Sequence, residues 1–392
     1  MTLTKRKICI ATGTRADWGL LSPLARALRD TPGVELQLLV TNMHLLPQYG
    51  MTVDEIIADG FTPDARVPML YDNDSAASRA SAMAQCISGT AESFTRLRPD
   101  LLVILGDRFE MLAIASAATV MRVPIVHIAG GEISEGAIDD NIRHAITKLS
   151  SLHLTATEAY RRRIINMGEQ PDKVINTGAV GVWNIVHSPR LTHSQLCRRL
   201  NFDFIPGRMI LVTYHSVTTE ASRSGERAEA LLDALDRFQD YKIIITYPNN
   251  DTGSEAIIEK INAWAKDRPG RVLLVKSLGR EGYHSAVSMA AAVVGNSSSG
   301  IVEVPSFGVC AVDTGIRQKG RIAARSVIHC GESADEIAGA LAFAVSDEGK
   351  RLAAESPNPY YKPDTLDIMV QAILGADPEE MAVKKFYDIN QS

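Results

Sequence analysis

Short apolar runs recur along this chain, each closing on Gly, Pro, Asp or Thr and each followed by a longer stretch with helical spacing. That alternation limits the fold more than any other feature. In the first half the runs read KICIAT (7–12), VELQLLV (34–40), LLVILG (101–106), PIVHIA (124–129) and LHLTA (152–156), with helical stretches such as 75–97 and 139–150 among them. Most are apolar throughout, as strands are when helices cover both faces of a parallel sheet. The pattern breaks at 188–208, which holds two prolines and no clear strand. It restarts with MILVTYH (209–215), YKIIITYP (241–248), RVLLV (271–275), AAVVG (291–295) and VCAVD (309–313). A chain of 392 residues exceeds the size at which one hydrophobic core stops growing. The expected architecture is therefore α/β, with two Rossmann-like doubly wound parallel-sheet domains over 1–187 and 188–364. Open sheets of this kind bind ligands beyond the carboxyl ends of their strands, which makes the cleft between the halves the expected site.

Composition removes several function classes. The formal charge of −5 lacks the basic excess of a nucleic-acid protein, and the run Arg161 to Arg163 reads as a solvated helix face. The five cysteines are scattered without a C-x-x-C, so a structural zinc site is not expected and a reducing compartment is. The opening MTLTKRKICIATG has too few apolar residues for a signal-peptide core, and no run is long enough to span a bilayer. The expectation is a cytoplasmic protein with no membrane partner and no structural zinc.

Polar chemistry gathers at strand ends. The first run ends in TGTRADWG, where Gly13 permits a tight turn and Arg15 stands at a helix start that favours anions. The run LLVIL ends in GDRFE, whose Asp107 is either a proton-transfer group beside the cation Arg108 or a helix cap. PIVHIA runs into GGEISEGAIDDNIRHAITKLS, the densest polar constellation, holding Glu132, Asp139, Asp140, Arg143 and His144. Helical spacing puts Asp139 on one face with Arg143, and Asp140 with His144. In the second half, MILVTY ends at His215, YKIIITY in PNND with Asn249, and AAVVG in NSSSG followed by Glu303. Hydroxyls and N–H groups of 296–300 suit a diphosphate, Arg317 can neutralise it, and Glu303 can accept from ribose hydroxyls. Neither GxxxxGK[ST] nor a GxGxxG opening the first strand–helix unit is present, which disfavours ATPase chemistry and NAD.

Taken together, TGTRADWGLL, LGDRFEML, HIAGGE, DDNIRHAITK, YPNND, GNSSSGIVEVPSFG and GIRQKGR resemble the hydrolysing UDP-N-acetylglucosamine 2-epimerases of sialic-acid biosynthesis, from about residue 7 to 325. The resemblance implies the GT-B fold, with a C-terminal segment of about 365–392 packing back on the first domain and the second domain binding UDP. It implies a cytoplasmic homo-oligomer, dimer or tetramer, that turns over UDP-GlcNAc without NAD or metal. By the same resemblance Arg15, Arg108, His215, Asn249, Ser297, Ser298, Glu303 and Arg317 match UDP-contacting positions. Asp107 and Asp139 match acid/base positions, with Glu132 on the same wall and His215 helping to stabilise the departing diphosphate. The chain departs from the family at Ala129, where relatives often carry Glu or His, and at Ser216 in HSVT, where they commonly read HPVT.

The implied reaction is an anti elimination: a base takes the C2 proton as UDP leaves C1, giving 2-acetamidoglucal. Water then adds at C1 while an acid protonates the opposite face of C2, yielding N-acetylmannosamine. Three alternatives accompany it: the same reaction on UDP-2,4-diacetamido-2,4,6-trideoxyglucose, a GT-B glycosyltransferase, and a catalytically silent nucleotide-sugar sensor, which turnover alone discriminates.

Overall fold

The structure, a computed structural model, describes residues 5–47, 50–73, 75–133, 138–217, 222–248 and 253–389. The chain divides into two compact units, Met1–Asn184 with Lys362–Ser392, and Ile185–Tyr361.

In the first unit the strands are β1 (Arg6–Thr12), β2 (Val34–Thr41), β3 (Ala65–Val67), β4 (Leu101–Leu105), β5 (Ile125–Ile128), β6 (Leu152–Thr155) and β7 (Val174–Asn176). Among the described residues they form one parallel sheet in the order β3-β2-β1-β4-β5-β6-β7. Side chains alternate along a strand, so β1 serves two cores at once. Ile8 and Ile10 pack with Leu21, Leu24 and Leu28 of the helix Arg15–Arg29 and with Met369 and Ile373 from near the C-terminus. Cys9 and Ala11 point the other way, toward Phe94, Met111, Ile114 and Ile146. Cover on both faces explains why β4, LLVIL, is buried at every residue.

Pro23 lies inside the helix Arg15–Arg29 and has no N–H to give to the carbonyl four residues back. Asn184 compensates: its Nδ2 donates to the carbonyls of Gly19 at 3.1 Å and Leu20 at 3.2 Å. A buried carbonyl freed by a proline is thus satisfied from elsewhere in the unit.

The second unit repeats the plan with β8 (Met209–Thr213), β9 (Lys242–Thr246), β10 (Val272–Val275), β11 (Ala292–Gly295), β12 (Ala311–Thr314) and β13 (Val327–Cys330). These are parallel in the order β10-β9-β8-β11-β12-β13. Sequence reasoning missed β3, β7 and β13, strands of three or four residues at or next to sheet edges. Such strands bury too little to leave an apolar run.

In both sheets the winding reverses beside the first strand, between β1 and β4 and between β8 and β11. At such a reversal neighbouring loops diverge to opposite faces and leave a crevice at the carboxyl ends. Among the described residues no helix is long and apolar enough to cross a membrane.

Candidate functional site

In the first unit the loops after β1 and β4 flank the reversal. Thr14 caps the helix Arg15–Arg29 by accepting the Asp17 N–H at 3.2 Å. Gly13 was expected to serve a tight turn, yet its φ lies outside the left-handed region. Its glycine is needed for space instead: a Cβ there would lie 2.6 Å from Glu110 Oε1 and 2.8 Å from Glu110 Cγ. Arg15 is mostly exposed and pairs with Glu55 at 2.9 Å. Asp17 is buried, and its Oδ2 has no hydrogen-bond partner. Burial, with the Glu110 charge added, pushes this carboxyl up to about 6, against a bond from Thr14 and the charge of Arg108.

After β4 the chain turns at Gly106, φ 82°, into Asp107 and Arg108. The helix Phe109–Val120 has Arg108 at its N-cap position and no side-chain cap bond, so Asp107 does not cap it. The Asp107 carboxylate pairs instead with Arg143, which is only 4% exposed. Arg143 also donates to Asp140 Oδ1 and to the Glu132 carbonyl, both at 2.9 Å. The other Asp140 oxygen lies 3.7 Å from His144 Nε2. One buried guanidinium thus gathers the GDR turn, the start of the helix Ile138–Leu149 and the end of the GGE loop. Helical spacing pointed to Asp139 as the neighbour of Arg143; the neighbour is Asp140, three residues away, while Asp139 is exposed on the first turn.

Beneath these groups His127 of β5 is fully buried. Its Nε2 meets the Gly106 carbonyl at 2.8 Å and its Nδ1 the Thr147 hydroxyl at 3.3 Å. Burial pushes His127 down to about 3, so the ring is neutral and donates from Nε2 to Gly106. Gly130 leaves room for it, since a Cβ would come within 3.0 Å of His127 Nδ1. The adjoining Ala129, the residue that departs from the resembled family, adopts φ 64°, a left-handed conformation rare outside glycine and asparagine.

In the second unit the loops after β8 and β11 are locked together. The Asn296 side chain accepts the His215 N–H at 2.7 Å and donates to the His215 carbonyl at 2.8 Å. Gly295, φ 145°, runs so close to β8 that a Cβ would sit 1.9 Å from the Thr213 carbonyl. Ser297 caps the short helix Ser298–Val302 by accepting from Ser299 N, and Ser298 is its first residue. The Ser297 and Ser299 hydroxyls are 3.1 Å apart, and Ser299 meets the Tyr283 hydroxyl at 2.7 Å. Arg317 Nη1 and Gln318 Nε2 both donate to the Asn296 carbonyl, at 3.1 and 2.9 Å. Glu303 follows that helix, and its Oε2 lies 3.2 Å from His284 Nε2.

Of the residues expected from sequence, the structure brings Arg15, Asp107, Arg108, Glu132 and Asp139 to the strand ends of the first unit. It brings His215, Ser297, Ser298, Glu303 and Arg317 to those of the second; Asn249 lies outside the described residues. Sequence reasoning passed over Glu110, His127, Tyr283, His284 and the clamp made by Asn296. For Glu110 and His127 a signal existed, an ionisable residue inside an otherwise apolar run. Among the described residues no group of three or more His, Cys, Asp or Glu side chains is placed to hold a metal ion.

The family model for UDP-N-acetylglucosamine 2-epimerase matches residues 26–374. The chain is 38% identical to a Legionella pneumophila UDP-N,N'-diacetylbacillosamine 2-epimerase (hydrolyzing) over 333 residues, 85% of this chain and 87% of the relative. It is 33% identical to Polysialic acid biosynthesis protein P7 of Escherichia coli over 388 residues, 98% of each. Among solved structures, the UDP-GlcNAc 2-epimerase of Neisseria meningitidis bound to UDP-GlcNAc superposes with a TM-score of 0.78 at 18% identity, over 94% of this chain and 100% of that one. That likeness shows a shared fold, two Rossmann-like domains of the GT-B type.

Proposed function

The chain belongs to the UDP-N-acetylglucosamine 2-epimerase family, and from that premise we propose that it is a hydrolysing 2-epimerase, converting UDP-GlcNAc and water to N-acetylmannosamine and UDP for nonulosonic (sialic) acid biosynthesis. The observation that carries the reading is buried Arg143, which pairs with the Asp107 and Asp140 carboxylates and donates to the Glu132 carbonyl. Removing and returning a proton at C2 on opposite ring faces calls for at least two groups able to exchange protons. Sugar transfer to an acceptor needs no proton exchange at C2. Asp107, fixed by Arg143, and Asp139, exposed on the first turn of its helix, are assigned the two transfers, with Glu132, whose carbonyl accepts from the same Arg143, as a further candidate.

In this reading the second unit holds the nucleotide. The 297–298 hydroxyls and loop N–H groups take the diphosphate, Arg317 offsets its charge, and Glu303 accepts from the ribose. Asn249, in PNND, is a further candidate contact by the resemblance. His215 stabilises the charge that grows on UDP as the C1–O bond breaks, a role the resemblance also gives to Arg15 and Arg108. The elimination releases UDP and leaves 2-acetamidoglucal; addition of water at C1, with a proton delivered to C2, inverts that centre.

A second reading keeps the chemistry and changes the sugar. The Legionella relative, at 38% identity, is named for a diacetamido trideoxy sugar nucleotide. Both substrates are tested in one experiment, incubation in deuterated water without NAD or metal, followed by proton NMR. Free N-acetylmannosamine deuterated at C2, with UDP, supports the first reading. Turnover of the diacetamido sugar nucleotide alone supports the second, and no turnover of either sinks both.

A further inference from the structure

Glu110 has no role in the scheme above, yet its setting is costly. It is wholly buried in the first turn of a helix whose other residues, FEMLAIASAATV, carry no charge. Its Oε1 accepts from Arg108 Nε at 2.5 Å, while its Oε2 is buried without a hydrogen-bond partner. A buried ion pair with an unsatisfied oxygen is a poor source of stability, because desolvation consumes the Coulombic gain. The molecule nevertheless makes room for it, since any side chain at Gly13 would collide with the carboxylate. Gly13 lies in the loop after β1 and Glu110 in the first turn of the helix after β4, on the two sides of the reversal between β1 and β4.

We propose that Glu110 is a positioning residue for Arg108, and that residue 13 is glycine in order to admit it. A guanidinium is a rigid planar fork. Holding it at Nε fixes its plane; the side chain is 36% exposed, and its Nη atoms, of which Nη2 lies 3.9 Å from Met43 Sδ, are placed to meet an anion in a bidentate manner. The inference deepens the proposed function and rests on its assignment of Arg108 to the diphosphate of the sugar nucleotide.

The test uses Arg108→Ala, Glu110→Gln, the double variant and Gly13→Ala, with kcat and KM for the sugar nucleotide from the NMR assay, Kd for UDP by calorimetry, and thermal melts. Glu110→Gln raises the UDP Kd and lowers kcat/KM by about tenfold, the size of one charge-assisted hydrogen bond, with part of the loss in kcat because Arg108 also meets the charge that grows on UDP. The double variant behaves as Arg108→Ala alone. Gly13→Ala reproduces the Glu110→Gln loss in the native background and adds nothing in a Glu110→Ala background, where the space is free. Losses that add to those of Arg108→Ala, or that appear only in the melts, overturn the positioning role. Arg108→Ala with an unchanged UDP Kd sinks the assignment of Arg108 itself, whereas a weakened Arg108→Ala with an unaffected Glu110→Gln sinks only this inference.

Discussion

Asp17 makes the stability of the first unit depend on pH in an unusual direction. Its carboxyl is buried, one oxygen lacks a partner, and burial raises it from an ordinary 3.8 to about 6. The native state therefore binds this proton more tightly than the unfolded chain does. The stability contributed is fully present below pH 3.8 and is lost as pH rises through about 6. At about 1.4 kcal/mol per pH unit, ionising Asp17 in place costs on the order of 3 kcal/mol at neutral pH. Asp17→Asn removes the charge and keeps the shape. At pH 7.5 the variant gains about 3 kcal/mol over the native chain, at pH 5 about half of that, and below pH 4 the two converge. The assay is urea unfolding in a Trp264→Phe background, so that Trp18 and Trp183 report on the first unit. The pH dependence of the difference is the decisive quantity, because any loss from replacing the Thr14 contact is nearly constant with pH. A gain that is the same at pH 7.5 and pH 5, or a loss at both, would refute the reasoning.

Three further outcomes follow from particular contacts. Asp107→Asn abolishes turnover in the NMR assay but leaves the calorimetric UDP Kd within a few-fold, because Asp140 still pairs with Arg143; loss of both together makes Asp107 positional. Gly295→Ala forces a Cβ to within 1.9 Å of the Thr213 carbonyl in a conformation L residues avoid, so it costs about 4 kcal/mol or more in denaturant melts. A melt within about 1 kcal/mol of native would show that β8 and β11 can part without cost. Burial alone would raise Glu169, but bonds from His153, Lys148 and Lys384 overcome it and hold the carboxyl down at about 2. Its contribution is present above pH 4.5 and lost as pH falls through 2, so Glu169→Gln destabilises by about 3 kcal/mol at pH 7, with the gap closing in acid. A gap unchanged between pH 7 and pH 3 rules that out.

The sequence by itself determined the kind of fold and where polar residues gather at its strand ends. Strands such as LLVIL, buried on both faces, must be apolar throughout, and their ends must return to polar residues, so both the core and the rim of each sheet are written as local composition. The same rule made GDRFE, GGE and GNSSSG legible as polar segments at strand ends. Edge strands such as β3 and β7 were not legible, because three half-covered residues carry no such constraint.

Only the tertiary structure decided which groups meet. Arg143 joins Asp107, 36 residues earlier, and prefers Asp140 to Asp139, because the end of β4 and the local helix geometry set the distance. Gly13 looks like a turn glycine until Glu110, on the first turn of another helix, is seen to fill the place of its side chain. Asn296 looks like one more polar loop residue until its amide is found bracketing His215, 81 positions before it. Residue types follow from burial, which a strand or helix imposes locally. Partnerships follow from the order in which strands assemble, and that order is a property of the whole sheet.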